Sequence, residues 1–134
     1  MKQIVQEGDP ALREGARPIS PELFGTPELA KIVGQMEAVL DAEEDGVALA
    51  APQIALPWRI FVARIDRTLG PPAEGQPPHE KDFQIFINPE IVKTSRKRHE
   101  VDEGCLSVRG VYGKTLRHER VTVRAKDTSG KSFT

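Results

Sequence analysis

Residues 26–46 carry the pattern that most constrains the fold. Thr26 is a favourable N-cap, Pro27 suits the first helical position, and Glu28 suits the positive end of the helix dipole. Apolar residues then recur on one face with helical spacing: Leu29, Ile32, Val33, Met36, Val39 and Leu40. The pattern predicts an amphipathic helix packed on a core and closed by the acidic run 41–45 and Gly46. Acidic residues at that end oppose the helix dipole.

Strand patterns dominate the rest of the chain. Runs rich in β-branched and aromatic residues at 59–65, 83–92 and 120–127 predict strands. In the last run Val121, Val123 and Ala125 alternate as in a half-buried strand. The Pro- and Gly-rich segment 68–82 predicts a surface loop, and 127–133 a turn leading into a returning strand. We therefore expect an α+β fold with mainly antiparallel sheets packed around helices.

Composition narrows the class of protein. The chain has 134 residues, of which 38% are apolar and 29% charged, as in a globular protein, so we expect a single domain over residues 1–134. Its 19 basic and 20 acidic residues give a net charge of −1, which argues against direct nucleic-acid binding. No apolar run approaches the roughly 18 residues of a membrane span. One cysteine and no apolar leader favour a cytoplasmic protein without an internal disulfide.

Each of the three histidines is followed by glutamate, so each begins like the zinc motif H-E-x-x-H. That motif needs a helix, which brings residues i and i+4 to one metal. The fifth positions are instead occupied by Phe83, Glu103 and Thr122. We interpret the three histidines as solvated surface residues: His79, His99 and His118. About 20 Å of extended chain separates His99 from Cys105, which excludes their binding one metal without a sharp bend.

Cys105 follows Gly104 in a setting typical of a turn or a strand edge. Its residue type allows three roles: a buried inert thiol, a thiolate metal ligand, or a nucleophile. A nucleophile needs a base from elsewhere in the fold, and no neighbour in the sequence identifies one. The local sequence leaves these alternatives open.

Two segments resemble the first two signature motifs of the peptide deformylase family. They are GVALAAPQ at 46–53 and EGCLS at 103–107, with about fifty residues between Gln53 and Cys105. GDPALRE at 8–14, INPEIV at 87–92 and the run at 117–127 are similar to the flanking segments of that family. The resemblance covers nearly the whole chain and implies a deformylase-like fold.

The resemblance implies metal-dependent hydrolysis of the N-formyl group of formyl-methionyl peptides during protein biosynthesis. The implied cofactor is one divalent ion, Fe²⁺ in the family with Zn²⁺ or Ni²⁺ as substitutes, and Cys105 is the implied metal ligand. Gln53 and the backbone N–H of Leu106 match the donors to the formyl oxygen. The implied partners are the formyl-methionyl peptide and the ribosome, in a bacterial-type cytoplasm and without a membrane.

Further positions carry over to the substrate groove. Gly46, Val47 and Ala48 match the stretch whose backbone lies beside the peptide in a strand-addition mode. Val47 and Val101 match residues that line the pocket for the methionine side chain. Glu103 matches an acidic residue that supports the site without binding the metal.

This sequence departs from the family at two points. Ala48 stands where the family has its second glycine, and the third motif, a helical H-E-x-D-H with two metal ligands and the general base, is absent. We therefore expect a domain incomplete at its C-terminus, without the metal-binding helix and with apolar surface left bare. We also expect weak metal retention and little activity. Two alternatives are a catalytically inactive module that binds formyl-peptides and a cysteine-nucleophile hydrolase.

Overall fold

The predicted helix is present. In the computed structural model, which describes residues 2–134 except for the side chains of 110–112, helix α1 spans Pro27–Ala42. Thr26 caps it, because its Oγ1 accepts a hydrogen bond from Leu29 N–H at 3.3 Å. The apolar face is buried as the pattern predicts, with Ile32 partly buried beside five buried residues: Leu29, Val33, Met36, Val39 and Leu40. Among the helices of residues 2–134, none has the length and apolar character needed to cross a bilayer.

Arginine side chains offset the unfavourable charge at the end of α1. Arg67 donates to the carbonyl oxygens of Leu40, Glu43 and Gly46, and also to that of Asp41. A cation at this end satisfies carbonyls that have no partner within the helix and complements the dipole. The sequence pattern showed the unfavourable acidic residues at the helix end. It did not show the contacts from Arg67, because Arg67 is more than twenty residues away along the chain.

The described residues form seven strands: β1 (Ala48–Ala50), β2 (Ile60–Arg64), β3 (Phe83–Thr94), β4 (Arg98–Cys105), β5 (Val108–His118), β6 (Val121–Lys126) and β7 (Ser132–Phe133). Five of them make one antiparallel sheet in the order β1-β2-β3-β6-β7, while β4 and β5 make a separate hairpin. Short 3-10 helices precede α1 at Pro10–Leu12 and Pro21–Leu23 and connect strands at Ala51–Ile54 and Ile65–Arg67. The predicted α+β class with mainly antiparallel pairing is confirmed.

The core lies between α1 and the larger sheet. Strand β2 alternates buried and half-buried residues, so Ile60 and Val62 pack with Leu49 and Ile87 beneath the helix. The predicted loop at 68–82 is exposed for most of its length, and the predicted returning strand is β7. Both predictions are confirmed.

Strand β6 is half-buried at one end only. Ala125 is buried and Val123 is half-buried, but Val121 is 48% exposed, so the predicted alternation is wrong there. Val121 pairs with Thr94 at the end of β3, where Ile91 and Val92 are also exposed. This end of the sheet extends past the part that α1 covers.

Candidate active site

Strand β1 is an edge strand with one side open. Arg64 N–H donates to Val47 O at 2.7 Å, and the antiparallel register aligns Leu49 with Val62. Hydrogen-bonded pairs alternate along such a ladder, so the N–H and C=O of Ala48 point away from β2. Ala48 is extended and keeps a negative φ, and thus its methyl group is accommodated without backbone strain.

The side chain of Gln53 is held by its own segment. Ala50 N–H, the next outward-pointing donor of β1, donates to Gln53 Oε1 at 3.0 Å. The amide therefore turns its Nε2 the other way, where it donates to Ser107 Oγ at 3.1 Å and lies 3.7 Å from Cys105 Sγ. The 3-10 helix Ala51–Ile54 brings Gln53 back over β1. This fixes an uncharged donor beside the thiol.

The second motif forms the tip of the β4–β5 hairpin. Cys105 pairs with Val108, and Leu106 and Ser107 make the two-residue turn between them. Ser107 is buried and the Cys105 thiol is exposed. Within the described residues, no turn or loop hydrogen bond uses the Leu106 N–H. The tip therefore offers a thiol and a backbone donor next to the Gln53 amide.

A cleft of about 510 Å³ joins these two segments. One wall comes from the end of α1 and the start of β1, and the other from the hairpin tip. Its lining includes six of the sequence-predicted site residues: Gly46, Val47, Ala48, Gln53, Cys105 and Leu106. The structure thus brings both motifs together around one opening.

An ion pair forms part of the lining of the cleft. The guanidinium of Arg109 meets both carboxylate oxygens of Glu43, with Nη2–Oε1 at 2.9 Å and Nη1–Oε2 at 3.3 Å. Hydrogen bonding to Arg109 lowers the pKa of Glu43, and the same bond raises the pKa of Arg109. Sequence reasoning missed both residues, because no local pattern links positions 66 residues apart.

Val101 and Glu103 lie on β4 outside the lining of the cleft. Glu103 accepts hydrogen bonds from Arg117 and Thr115, both on the neighbouring strand. The hydrogen bond from Arg117, then that from Thr115, lowers the pKa of Glu103. The carboxylate is thus engaged within the hairpin.

The histidines lie away from Cys105. His118 pairs in register with Arg98 at the opposite end of the hairpin, one residue from His99, and its Nδ1 lies 2.7 Å from Ser95 O. His79 lies in the loop at 68–82, with Nε2 2.8 Å from Gly70 O. Over the part of the chain that the structure describes, no three His, Cys, Asp or Glu side chains are grouped closely enough to hold a metal ion.

Comparison with known proteins identifies the relatives of this chain. Residues 1–134 match the model of the polypeptide deformylase family. Peptide deformylase 1A, chloroplastic/mitochondrial, of Arabidopsis thaliana is 35% identical over 136 residues, which cover 98% of this chain and 50% of the plant protein. A peptide deformylase of Hydrogenovibrio crunogenus is 37% identical over 131 residues, covering 97% of this chain and 68% of the relative. The chain spans half the length of the two plant relatives.

Solved structures agree with the sequence relatives. A class I type b peptide deformylase from Acinetobacter baumannii, bound to Met-Ala-Ser, matches with a TM-score of 0.82 and 26% identity. The match covers 98% of this chain and 80% of that one. A probable peptide deformylase from synechococcus phage S-SSM7 matches with a TM-score of 0.81 and 29% identity, over 99% and 81% of the two chains.

Proposed function

The chain belongs to the polypeptide deformylase family, and we propose that its cleft binds N-formylmethionyl peptides for hydrolysis of the formyl group. One observation carries the proposal. The Gln53 amide is anchored through Oε1, so that its Nε2 reaches the hairpin tip, 3.1 Å from Ser107 Oγ and 3.7 Å from Cys105 Sγ. A donor held in advance at this point suits an oxygen that gains negative charge during the reaction.

Gln53 and Leu106 are the proposed donors to the formyl oxygen. Attack on the formyl carbon turns its carbonyl oxygen into an oxyanion, which prefers two donors to one. The Gln53 amide donates without a titrating charge, and the Leu106 N–H belongs to the two-residue turn at the hairpin tip. Their contribution is to hold the carbonyl and stabilise the charge that develops on it.

The peptide backbone is proposed to add to the open edge of β1. Ala48 offers one N–H and one C=O there, flanked by Gly46 and Val47 along the same wall. An extended peptide pairs with such an edge through main-chain hydrogen bonds and leaves its side chains to the flanking pockets. Val47, which lines the cleft and is 43% exposed, is the apolar side chain we propose for contact with the methionine. The same role for Val101, which lies on β4 outside that lining, stays a prediction.

Deformylase chemistry calls for a divalent ion, which supplies an activated water when bound. The donors of the described residues do not fit that ion, because Cys105 has no second and third ligand grouped with it. We propose Cys105 as the one ligand that these residues contribute, with Fe²⁺, Zn²⁺ or Ni²⁺ as the ion. The 134 residues by themselves are then expected to bind peptide with little turnover. Ribosome association and a cytoplasmic location remain predictions.

Paired peptides test this function. The probes are N-formyl-Met-Ala-Ser and the same peptide with hydrogen in place of its formamide group, and binding is measured by calorimetry. We expect the wild type to prefer the formylated peptide and Gln53→Ala to reduce that preference about fivefold, the effect of one hydrogen bond. Gln35→Ala, on the far side of α1, is the matched control. Equal affinity of the wild type for both probes contradicts the proposal.

A further inference from the structure

The two halves of the candidate site belong to separate sheets. Ala48 and Gln53 are part of the five-stranded sheet and its connection, whereas Cys105–Ser107 form the tip of a two-stranded hairpin. An isolated two-stranded hairpin has marginal stability and does not fix its own position. The distance between the Gln53 amide and the Leu106 N–H must therefore be set by contacts across the gap.

Residues 5–7 supply such contacts to both halves. Val5 N–H donates to Gln53 O at 2.7 Å, which fixes the segment to the larger sheet. Glu7 N–H donates to Ser107 O at 2.9 Å, and the side chain of Gln6 donates through Nε2 to Leu106 O at 3.2 Å. Three consecutive residues thus connect the two motifs.

The Gln6 contact differs from the other two, because it comes from a side chain. The backbone N–H groups of residues 5 and 7 would remain after most substitutions. The hydrogen bond to Leu106 O, in contrast, depends on the side chain of Gln6. Its acceptor belongs to Leu106, the residue whose N–H is the proposed backbone donor to the formyl oxygen. Fixing one carbonyl of a two-residue turn restricts the torsion angles of that residue, and with them the direction of its N–H.

We propose that Gln6 is a positioning residue that holds the Leu106 N–H at the correct distance from Gln53 Nε2. This inference rests on the proposed function for its consequence in binding. Gln6 is not among the residues that line the cleft, so it acts through the hairpin tip. Ser107, which is buried, contacts both segments. Its carbonyl oxygen accepts a hydrogen bond from Glu7 N–H, and its hydroxyl oxygen accepts one from Gln53 Nε2.

Gln6→Glu removes the donor and keeps the shape, and Gln6→Ala removes it without adding charge. Gln3→Glu is the matched control, because Gln3 is exposed in the same segment and receives the same change. The readout is a ratio: the dissociation constant of the peptide without the formamide group divided by that of the formylated peptide. We expect both Gln6 variants to lower this ratio about fivefold while the affinity for the peptide without formamide stays unchanged. Gln3→Glu should keep the wild-type ratio.

A second readout needs no ligand. The side-chain amide resonances of Gln53, identified by their loss in Gln53→Ala, should shift in both Gln6 variants and not in Gln3→Glu. Unshifted resonances overturn the inference, whatever the peptides do, and so does an equal loss of affinity for both peptides. If the resonances shift but the wild type does not prefer the formylated peptide, the proposed function fails and the positioning role stands.

Discussion

Gly46 occupies a position where a side chain does not fit. A methyl group there would lie 3.0 Å from Leu40 Cδ1, 3.1 Å from Glu43 Cβ and 3.2 Å from Glu43 O. The residue is buried where the chain turns from α1 into β1, and its carbonyl accepts a hydrogen bond from Arg67 at 2.6 Å. The glycine therefore allows the cleft wall to start directly after the helix.

Gly46→Ala is expected to destabilise the protein by about 1–3 kcal/mol, since the methyl group must displace neighbours in a packed region. Gly34→Ala is the matched control. Gly34 lies within α1, and a methyl group at that position would have no neighbouring atom within 4 Å. Alanine there should stabilise the helix by about 1 kcal/mol. Denaturant unfolding measures both. A neutral Gly46→Ala would show that the helix end relaxes freely.

Residues within the two motifs were predictable, but their partners were not. Gln53 and Cys105 were singled out because two short runs resemble family motifs, and the structure brings their side chains to 3.7 Å. Gln6, Glu43 and Arg109 give no such signal. Each acts through contacts with residues far away in the chain, and a single sequence does not record which distant residues meet.

At the scale of elements, a buried cation joins α1, β2 and the exposed loop. Arg64, at the end of β2, is 6% exposed and binds Asp66 through Nε and Nη2, each at 2.8 Å. Its Nη1 reaches Asp41 at 2.8 Å, on the last turn of α1. Asp66 also accepts a hydrogen bond from Asp82 N–H at 3.0 Å. Three elements that flank the cleft wall thus depend on one guanidinium.

This network predicts a pH dependence of stability. The hydrogen bonds from Arg64, then that from Asp82 N–H, hold the pKa of Asp66 well below its usual range. A carboxylate whose pKa is lower in the folded state stabilises that state, and its full contribution is present above the unfolded pKa of about 3.9. The contribution disappears as the pH falls toward the pKa of the folded state. The free energy of unfolding should therefore fall between about pH 5 and pH 2, and less steeply in Asp66→Asn.

Asp102→Asn is the control for that experiment, because Asp102 is exposed on β4 and makes no ion pair among the described residues. Urea unfolding at a series of pH values gives the comparison. An Asp66→Asn protein with the wild-type slope would show that other carboxylates cause the acid sensitivity.

Elements differed in how well local sequence predicted them. Helix α1 followed from periodicity and strand β2 from its β-branched and aromatic residues, and each buries one regular face. Strand β5 was not predicted; it pairs with β4 alone, and its described side chains are exposed or half-buried, so no buried face among them imposes a pattern. The extended course of residues 98–105 was predicted and is confirmed.

In the molecule as a whole, the site lies between the larger sheet and the β4–β5 hairpin. The larger sheet shares its core with α1, whereas β4 and β5 pair only with each other among the strands described. Large apolar side chains are exposed on both parts, including Ile91 at 67% and Leu116 at 69%. That an absent helix leaves apolar surface bare stays a prediction, because these residues lie on different sheets.

The 134-residue chain is expected to hold metal weakly. Catalytic metal sites use three protein ligands, and Cys105 has no second or third grouped with it among the described residues. After exposure to Zn²⁺ and dialysis, we expect well below one metal ion per chain by elemental analysis. Formyl-peptide affinity should then be unaffected by a chelator, because the proposed Gln53 and Leu106 donors need no metal. Cys105→Ser should give the same metal content as the wild type. One tightly held ion per chain that Cys105→Ser removes would contradict this prediction and show that these residues assemble a metal site.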